Sequence, residues 1–195
     1  MFSFEALRGL LPQRLLPPIP AWEAGHGLRD AAVIAPLVAL PTGIHVIYTL
    51  RRADLTHHAG EVSFPGGRRE GEEAPLACAL REFEEETGLA AASVEILGAL
   101  PARTSLARYR VQPFVGLLHA AAPYVPQESE VDRVLELPLS VLADEAAWEE
   151  LEVERANGQR FKMPSLRIDE GALLWGLTAR FTLDLLACLR GTPLR

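Results

Sequence analysis

The sequence predicts an α/β fold, a mixed β-sheet held between helices as an α/β/α sandwich. Three observations predict it: β-branched apolar runs recur along the chain, an acidic helical stretch interrupts them, and an apolar helix closes the sequence. The 195 residues suit one sizeable domain with its own core. A composition of 49% apolar and 23% charged residues is that of an ordinary globular chain.

Phe4 to Leu11 has the spacing of a short amphipathic helix, and the proline-rich Leu16-Pro17-Pro18-Ile19-Pro20 follows it. Residues 1–30 are expected to form a leader packed on the domain rather than a unit of their own. Ala31 to Leu40 and Ile44 to Leu50 read as strands split by the turn Pro41-Thr42-Gly43. Glu61 to Phe64 is a third short strand that opens into Phe64-Pro65-Gly66-Gly67, a glycine-permissive loop. Pro75 to Thr87 is the acidic helix: Pro75 suits its first turn, and Gly88 suits a left-handed stop just past its end. Val94 to Leu100 and Tyr109 to Leu118 are strands joined by a polar loop carrying Arg103, Thr104, Ser105 and Arg108. Val134 to Leu137, Glu149 to Arg155 and Arg160 to Ile168 add shorter strands, with Asn157-Gly158 as a hairpin turn. Leu139 to Asp144 reads as a short helix. Leu173 to Leu189 reads as a longer one, with Leu174, Leu177, Phe181, Leu185 and Leu189 at helical spacing.

Charge and cysteine content exclude several roles. A net charge of −7 argues against a generic nucleic-acid surface. Lys162 is the only lysine, so the basic side chains are arginines, which suit bidentate contact with phosphate. Cys78 and Cys188 are too few for a disulfide framework, and Cys78 is expected as a small packed residue of its helix. Met1 to Arg8 lacks a basic segment followed by a long apolar run, and no stretch approaches the ~20 apolar residues needed to span a bilayer. The expected location is cytoplasmic, away from membranes.

The chain is organised around Gly67 to Leu89. Seven glutamates fall between Glu70 and Glu86, and Glu82, Glu84, Glu85 and Glu86 sit almost side by side. On a helix, the ~100° step per residue gathers Glu82, Glu85 and Glu86 into an arc of about 100°. Leu76, Leu80 and Phe83 form an apolar stripe on a neighbouring face, which leaves Glu86 expected as an exposed group. Like charges so placed cost about 0.2–0.5 kcal/mol per pair, a cost that a bound cation removes. Hard divalent ions take oxygen ligands, with substrate phosphates completing the shell of Mg2+. On the glutamates alone, a solvated acidic face explains the run as well as a metal site does. The succession of strand, glycine loop, acidic helix and glycine stop favours a site.

These residues also carry a resemblance. Gly67, Glu73 and Arg81-Glu82-Phe83-Glu84-Glu85-Glu86-Thr87-Gly88-Leu89 resemble the complete Nudix box, G-x5-E-x7-R-E-U-x-E-E-x-G-U, where U is a bulky aliphatic. Every fixed position matches; Phe83 stands where an aliphatic is usual. The box covers about an eighth of the chain. The resemblance implies the Nudix α/β/α sandwich and hydrolysis of a diphosphate linked to another moiety, dependent on Mg2+ or Mn2+. It implies Glu82 and Glu86 as metal ligands, the Gly67 carbonyl as a further oxygen, and Glu85 as a ligand or the general base. Arg81 is implied as an orienting partner for a box glutamate, and Glu73 as a brace at the loop–helix junction. Related proteins often place another acid on a later loop. In Gln127-Glu128-Ser129-Glu130-Val131, Glu130 is the candidate and Glu128 the reserve.

A second resemblance bears on substrate. Tyr48 to Gly67 is similar to the segment ahead of the box in coenzyme A pyrophosphatases, L-L-T-x-R-S-x3-R-x3-G-x3-F-P-G-G. Thr49, Arg51, Gly60 and Phe64 to Gly67 match, whereas Tyr48 replaces the second leucine, Arg52 the serine and Thr56 the second arginine. Trp175-Gly176-Leu177-Thr178-Ala179-Arg180 also looks like a terminal-helix segment of that branch. The resemblance implies cleavage of coenzyme A to 4′-phosphopantetheine and adenosine 3′,5′-bisphosphate. An acidic protein binding such a polyanion needs local arginines. Arg51, Arg52, Arg68 and Arg69 lie near the glycine loop, and Arg103, Arg108 and Arg110 can approach from the later one. His58 and Gly60 are candidates for a substrate loop, since adjacent His57 and His58 without partners at ligand spacing make a poor zinc site. Two other readings stand beside this one. Thr56 in place of arginine supports a different nucleoside diphosphate derivative such as ADP-ribose. A non-catalytic binding domain is the third, and the intact glutamates oppose it.

Overall fold

The computed structural model describes residues 3–19, 21–24, 27–52, 54, 60–119, 123–127, 129–154, 158–169 and 172–192. Its centre is strand β1, Arg29–Leu40, which turns back into β2, Gly43–Arg51, as an antiparallel hairpin. On its other side β1 runs parallel to Tyr109–Leu118 from Arg29↔Tyr109 to Val38↔Leu118. Strands covered on both faces read as near-continuous apolar runs, which is why these three stand out in the sequence.

The remaining elements hang on that frame. Val62–Ser63 (β3) pairs with β2, and Gly66–Arg68 (β4) pairs with the N-terminal end of β1 from Ala31↔Arg68 to Val33↔Gly66. The side of β1 that carries β2 at one end therefore carries β4 at the other. Helix α2, Pro75–Thr87, follows β4. Val94–Ala99 (β5) and Arg103–Thr104 (β6) pair with Tyr109–Leu118 (β7), and Val131–Pro138 (β8) pairs with β2. This sheet has eight strands, mixed because β1–β7 is parallel and its other pairs are antiparallel. Beyond the short helix α3, Leu139–Leu142, a three-stranded antiparallel sheet is built from Trp148–Glu154 (β9), Arg160–Asp169 (β10) and Ala172–Leu174 (β11).

Helices cover both faces of the large sheet. On one face Cys78, Ala79 and Phe83 of α2 pack with Ile34, Ile47 and Phe114. On the other, Leu7 of Phe4–Leu10 (α1) and Phe181, Leu185 and Leu189 of the last helix share a cluster with Leu37, Tyr48 and Leu117. That is the sandwich expected from the sequence. The leader contributes to it directly: Leu7, Leu11 and Leu15 are buried, and Leu16 bridges to Ala99. Tyr48, which stands where the coenzyme A pattern has leucine, is fully buried; it stacks on Phe64 at 4.8 Å and shares a 2.9 Å hydrogen bond with Thr182.

Two expectations are corrected. The last helix, α4, spans Gly176–Arg190 rather than starting at Leu173, because Ala172–Leu174 joins β10 as a strand and Trp175 is extended. On α2 the buried side is centred on Cys78, Ala79, Phe83 and Glu86, with Leu76 and Leu80 only half-buried. Two small residues let the helix lie close to the sheet. Gly158 has φ +81°, as a hairpin turn requires, while Asn157 lies outside the described residues. Among the described residues no helix is long and apolar enough to cross a membrane.

Candidate active site

The site is built by β4, the loop after it and α2. Gly66 has φ +153°, and a Cβ there would stand 2.4 Å from the Ala32 carbonyl oxygen and 2.5 Å from Val33 Cα. Only glycine lets β4 lie this close to β1. At Gly67 a Cβ would instead fall 2.3–2.5 Å from the carboxylate of Glu82, so the absent side chain is the space Glu82 occupies. Helix α2 stops at Gly88, with φ +73° and its N–H bonded to the Glu84 carbonyl.

Arg81 organises the carboxylates. It grips Glu73 through two bonds of 3.1 and 3.0 Å, reaches Glu82 at 3.0 Å and Glu85 at 3.2 Å, and also donates to the Arg68 carbonyl. The hydrogen bonds that Arg81 donates to Glu73 hold the Glu73 carboxyl below the usual carboxylate range and raise the Arg81 guanidinium. Glu73 also accepts the Glu70 N–H at 2.7 Å, and its carbonyl accepts the Trp22 indole N–H at 2.7 Å. Leader, loop and helix are thus tied at one residue, and Glu73 braces this junction.

Glu86 differs from its expected exposure, being only 5% exposed. Its carboxylate accepts the Gly66 N–H at 3.2 Å and the Thr49 hydroxyl at 3.3 Å; among the described residues it forms no ion pair, though it feels the charge of Arg51. Burial pushes it up to about 8. Glu82 is raised as well, by burial acting against the pull of Arg81. Glu85 is the open member of the three, with its side chain 46% exposed. Cys78 is packed as expected: its thiol faces the Gly67 carbonyl at 3.6 Å, and burial pushes it up to about 12, far from a thiolate.

These groups face a cavity of about 1060 Å³ lined by Gly67, Glu82, Glu85, Glu86 and Glu130, together with Arg51 and Arg68. Glu130 reaches Arg51 at 3.3 Å, and its charge is felt at Glu82. Not every arginine near the glycine loop joins them. Arg52 pairs with Asp54, and Arg69 pairs with Asp30 and Glu72; both stand outside the lining. Gly60 has φ +68° and donates to the Arg51 carbonyl, shaping the strand end rather than the cavity wall. Of the later arginines, Arg110 pairs with Glu23, Arg108 is not in the wall, and Arg103 lines the cavity while held by Asp184. His58, Thr56 and Glu128 lie outside the described residues.

Of the opposite wall the sequence marks only Trp175 to Arg180, through its resemblance and not as a cavity surface. Phe161 and Met163 of β10, Tyr109, and Trp175, Leu177 and Arg180 from the α4 end line it. Phe161 and Met163 share a strand face at i, i+2, a signal that reads as packing until the partner surface is known.

The donors fit a hard divalent cation. They are carboxylate and carbonyl oxygens, and burial of Glu86 penalises a negative charge that a bound cation would stabilise. Among the described residues no three acidic, histidine or cysteine side chains already form a metal cage. Instead Glu82 and Glu85 turn to Arg81, and Glu86 to Gly66.

Fold and site define a class: an α/β sandwich whose glycine loop and arginine-braced acidic helix form one side of a large cavity. The family profile described as "NUDIX domain" matches residues 28–163, and the chain belongs to the Nudix family. It is 36% identical over 161 residues to "Uncharacterized Nudix hydrolase NudL" of Pectobacterium atrosepticum, covering 82% of each chain. A relative of the same name from Shigella flexneri is 35% identical over 182 residues, covering 93% of this chain and 92% of its own. Among solved structures, the Nudix hydrolase RenU of M. smegmatis superposes with a TM-score of 0.56 at 19% identity, over 90% of this chain and 96% of its own, a likeness of fold.

Proposed function

We propose that this Nudix protein is a divalent-metal-dependent diphosphatase that cleaves coenzyme A, or a derivative of it, to 4′-phosphopantetheine and adenosine 3′,5′-bisphosphate. The observation that carries the reading is a cavity in which Glu82, Glu85, Glu86, Glu130 and the Gly67 backbone meet Arg51 and a partly aromatic wall. At about 1060 Å³ it stands at the upper end of small-molecule sites, room enough for a nucleotide diphosphate with a long arm. The resemblance of Tyr48 to Gly67 and of Trp175 to Arg180 to the coenzyme A branch supplies the substrate.

Glu82, Glu86 and the Gly67 carbonyl would hold Mg2+ or Mn2+, which when bound neutralises diphosphate charge and acidifies water. The other roles belong to the chain itself. Arg81 fixes the rotamers of Glu82 and Glu85 by holding both from one guanidinium. Glu85 is the more exposed of that pair, which supports a role as general base toward water. Glu130 holds Arg51 toward the cavity, where the guanidinium can bind a phosphoryl oxygen. Cys78 takes no part.

The test is to assay the purified protein with Mg2+ on coenzyme A, dephospho-coenzyme A and ADP-ribose in heavy-oxygen water, with products read by mass spectrometry. Coenzyme A is expected to be turned over fastest, with label in one of its two products. Preference for ADP-ribose would move the substrate to the alternative reading, and no turnover of any would remove the catalytic one.

A further inference from the structure

We propose that Arg180 binds a phosphomonoester of the substrate separate from its diphosphate, and so sets preference for a 3′-phosphorylated nucleotide over its dephosphorylated form. The inference rests on the function proposed above for its reaction, though not for its binding site. Five arginines line the cavity: Arg51, Arg68, Arg81, Arg103 and Arg180. Three are already committed to carboxylates, Arg51 to Glu130, Arg81 to Glu73, Glu82 and Glu85, and Arg103 to Asp184 through bonds of 2.9–3.0 Å. Among the described residues, neither Arg68 nor Arg180 has an ion pair or a hydrogen bond through its guanidinium. Arg68 directly follows Gly67, at the diphosphate side of the cavity. Arg180 belongs to another wall, on α4, with Trp175, Leu177 and Phe181 as neighbours in the lining.

A purely structural role suits Arg180 poorly. Its side chain is exposed, and it stands near the N-terminal end of α4, where the helix dipole gives a cation no support. No acidic residue in the first turn offsets that. The cavity also carries the carboxylates of Glu61, Glu70, Glu82, Glu85, Glu86 and Glu130, in a chain of net charge −7. A polyanion entering it gains most at a cation not already neutralised. A phosphomonoester carries roughly two charges and three acceptor oxygens near neutral pH, a match for the planar guanidinium fork that a ribose hydroxyl lacks.

Arg180→Gln and Arg180→Lys in the full chain test this. With Mn2+ present, Arg180→Gln is expected to lower the ratio of kcat/KM for coenzyme A to that for dephospho-coenzyme A by ~10- to 100-fold, through KM, with Arg180→Lys recovering part of it. Equal losses on both substrates, or an unchanged ratio, would overturn the inference. A second arm needs no turnover: adenosine 3′,5′-bisphosphate and adenosine 5′-monophosphate are titrated calorimetrically without metal. Wild type should prefer the bisphosphate and Arg180→Gln should bind the two alike. If wild type hydrolyses neither substrate yet loses this preference on substitution, the proposed reaction falls and the role of Arg180 stands. If wild type shows no preference between the two nucleotides, the role of Arg180 falls.

Discussion

Replacing Glu86 with glutamine removes a charge that the surrounding residues resist. The carboxylate is buried, accepts from two neutral donors, and feels Glu82 nearby. In the folded, metal-free protein its proton is held up to about 8, well above the usual carboxylate range. The folded state therefore binds a proton that the unfolded chain has released, so stability falls as pH rises from the carboxylate range through about 8 and is kept below it. A divalent cation meets that charge directly. The rise in Tm given by Mn2+ over EDTA should thus grow between about pH 6 and about pH 8.5, as thermal melts would show. In Glu86→Gln that growth should vanish, the EDTA melt at high pH should be no lower than wild type, and turnover should drop by at least ~100-fold. A variant that keeps both turnover and the wild-type metal response would refute the assignment. The sequence made the arc of Glu82, Glu85 and Glu86 legible through helix geometry alone. It did not reveal the depth of Glu86, because that depth comes from Thr49 and Gly66, far away along the chain.

At the scale of elements, Gly66 and Gly67 are adjacent yet carry different burdens. A side chain at Gly66 would meet the backbone of β1 and would require an unfavourable φ, so Gly66→Ala should destabilise the fold by at least ~2 kcal/mol in urea titration. A side chain at Gly67 first meets the carboxylate end of Glu82, which can swing away. Gly67→Ala should therefore lose less than ~1 kcal/mol of stability while turnover falls ~10-fold or more, because Glu82 is displaced from its place beside Arg81. Equal stability losses in the two variants would contradict the contact geometry. The long strands and α2 were legible because their patterns run for many residues. Strands β4 and β6 were not, since two or three residues hold no period, and their pairing with β1 and β7 is a long-range fact. Leu174 fitted a helical stripe in the sequence; the ladder to β10 makes it part of a strand instead. The cavity wall was illegible for the same reason, because Phe161 and Met163 become a site surface only when β10 faces α2 across a gap.

Across the whole molecule, the leader and the last helix form one unit on the face opposite α2. Leu7, Leu11 and Leu15 enter the same cluster as Phe181, Leu185 and Leu189. Arg14 then donates to the Cys188 and Leu189 carbonyls, 2.8 and 3.0 Å away, at the C-terminal end of α4 where a cation is favoured. The opposite end of α4 lines the cavity, so the leader steadies a helix whose far end carries Leu177 and Arg180. Arg14→Ala should cost about 1–2 kcal/mol, a Tm lower by roughly 2–8 °C, with kcat unaltered because no group at the box moves. Removing residues 1–15 should be far more damaging. It strips three leucines from the core, each contributing about 1.5–3 kcal/mol, and their sum rivals the ~5–15 kcal/mol that holds an ordinary domain together. It also exposes the face of α4 that they cover. The truncated chain should therefore show no cooperative melt, or one far below that of the full chain, by scanning calorimetry. A truncated protein that melts like the full chain would mean that the leader rests on the fold without supporting it.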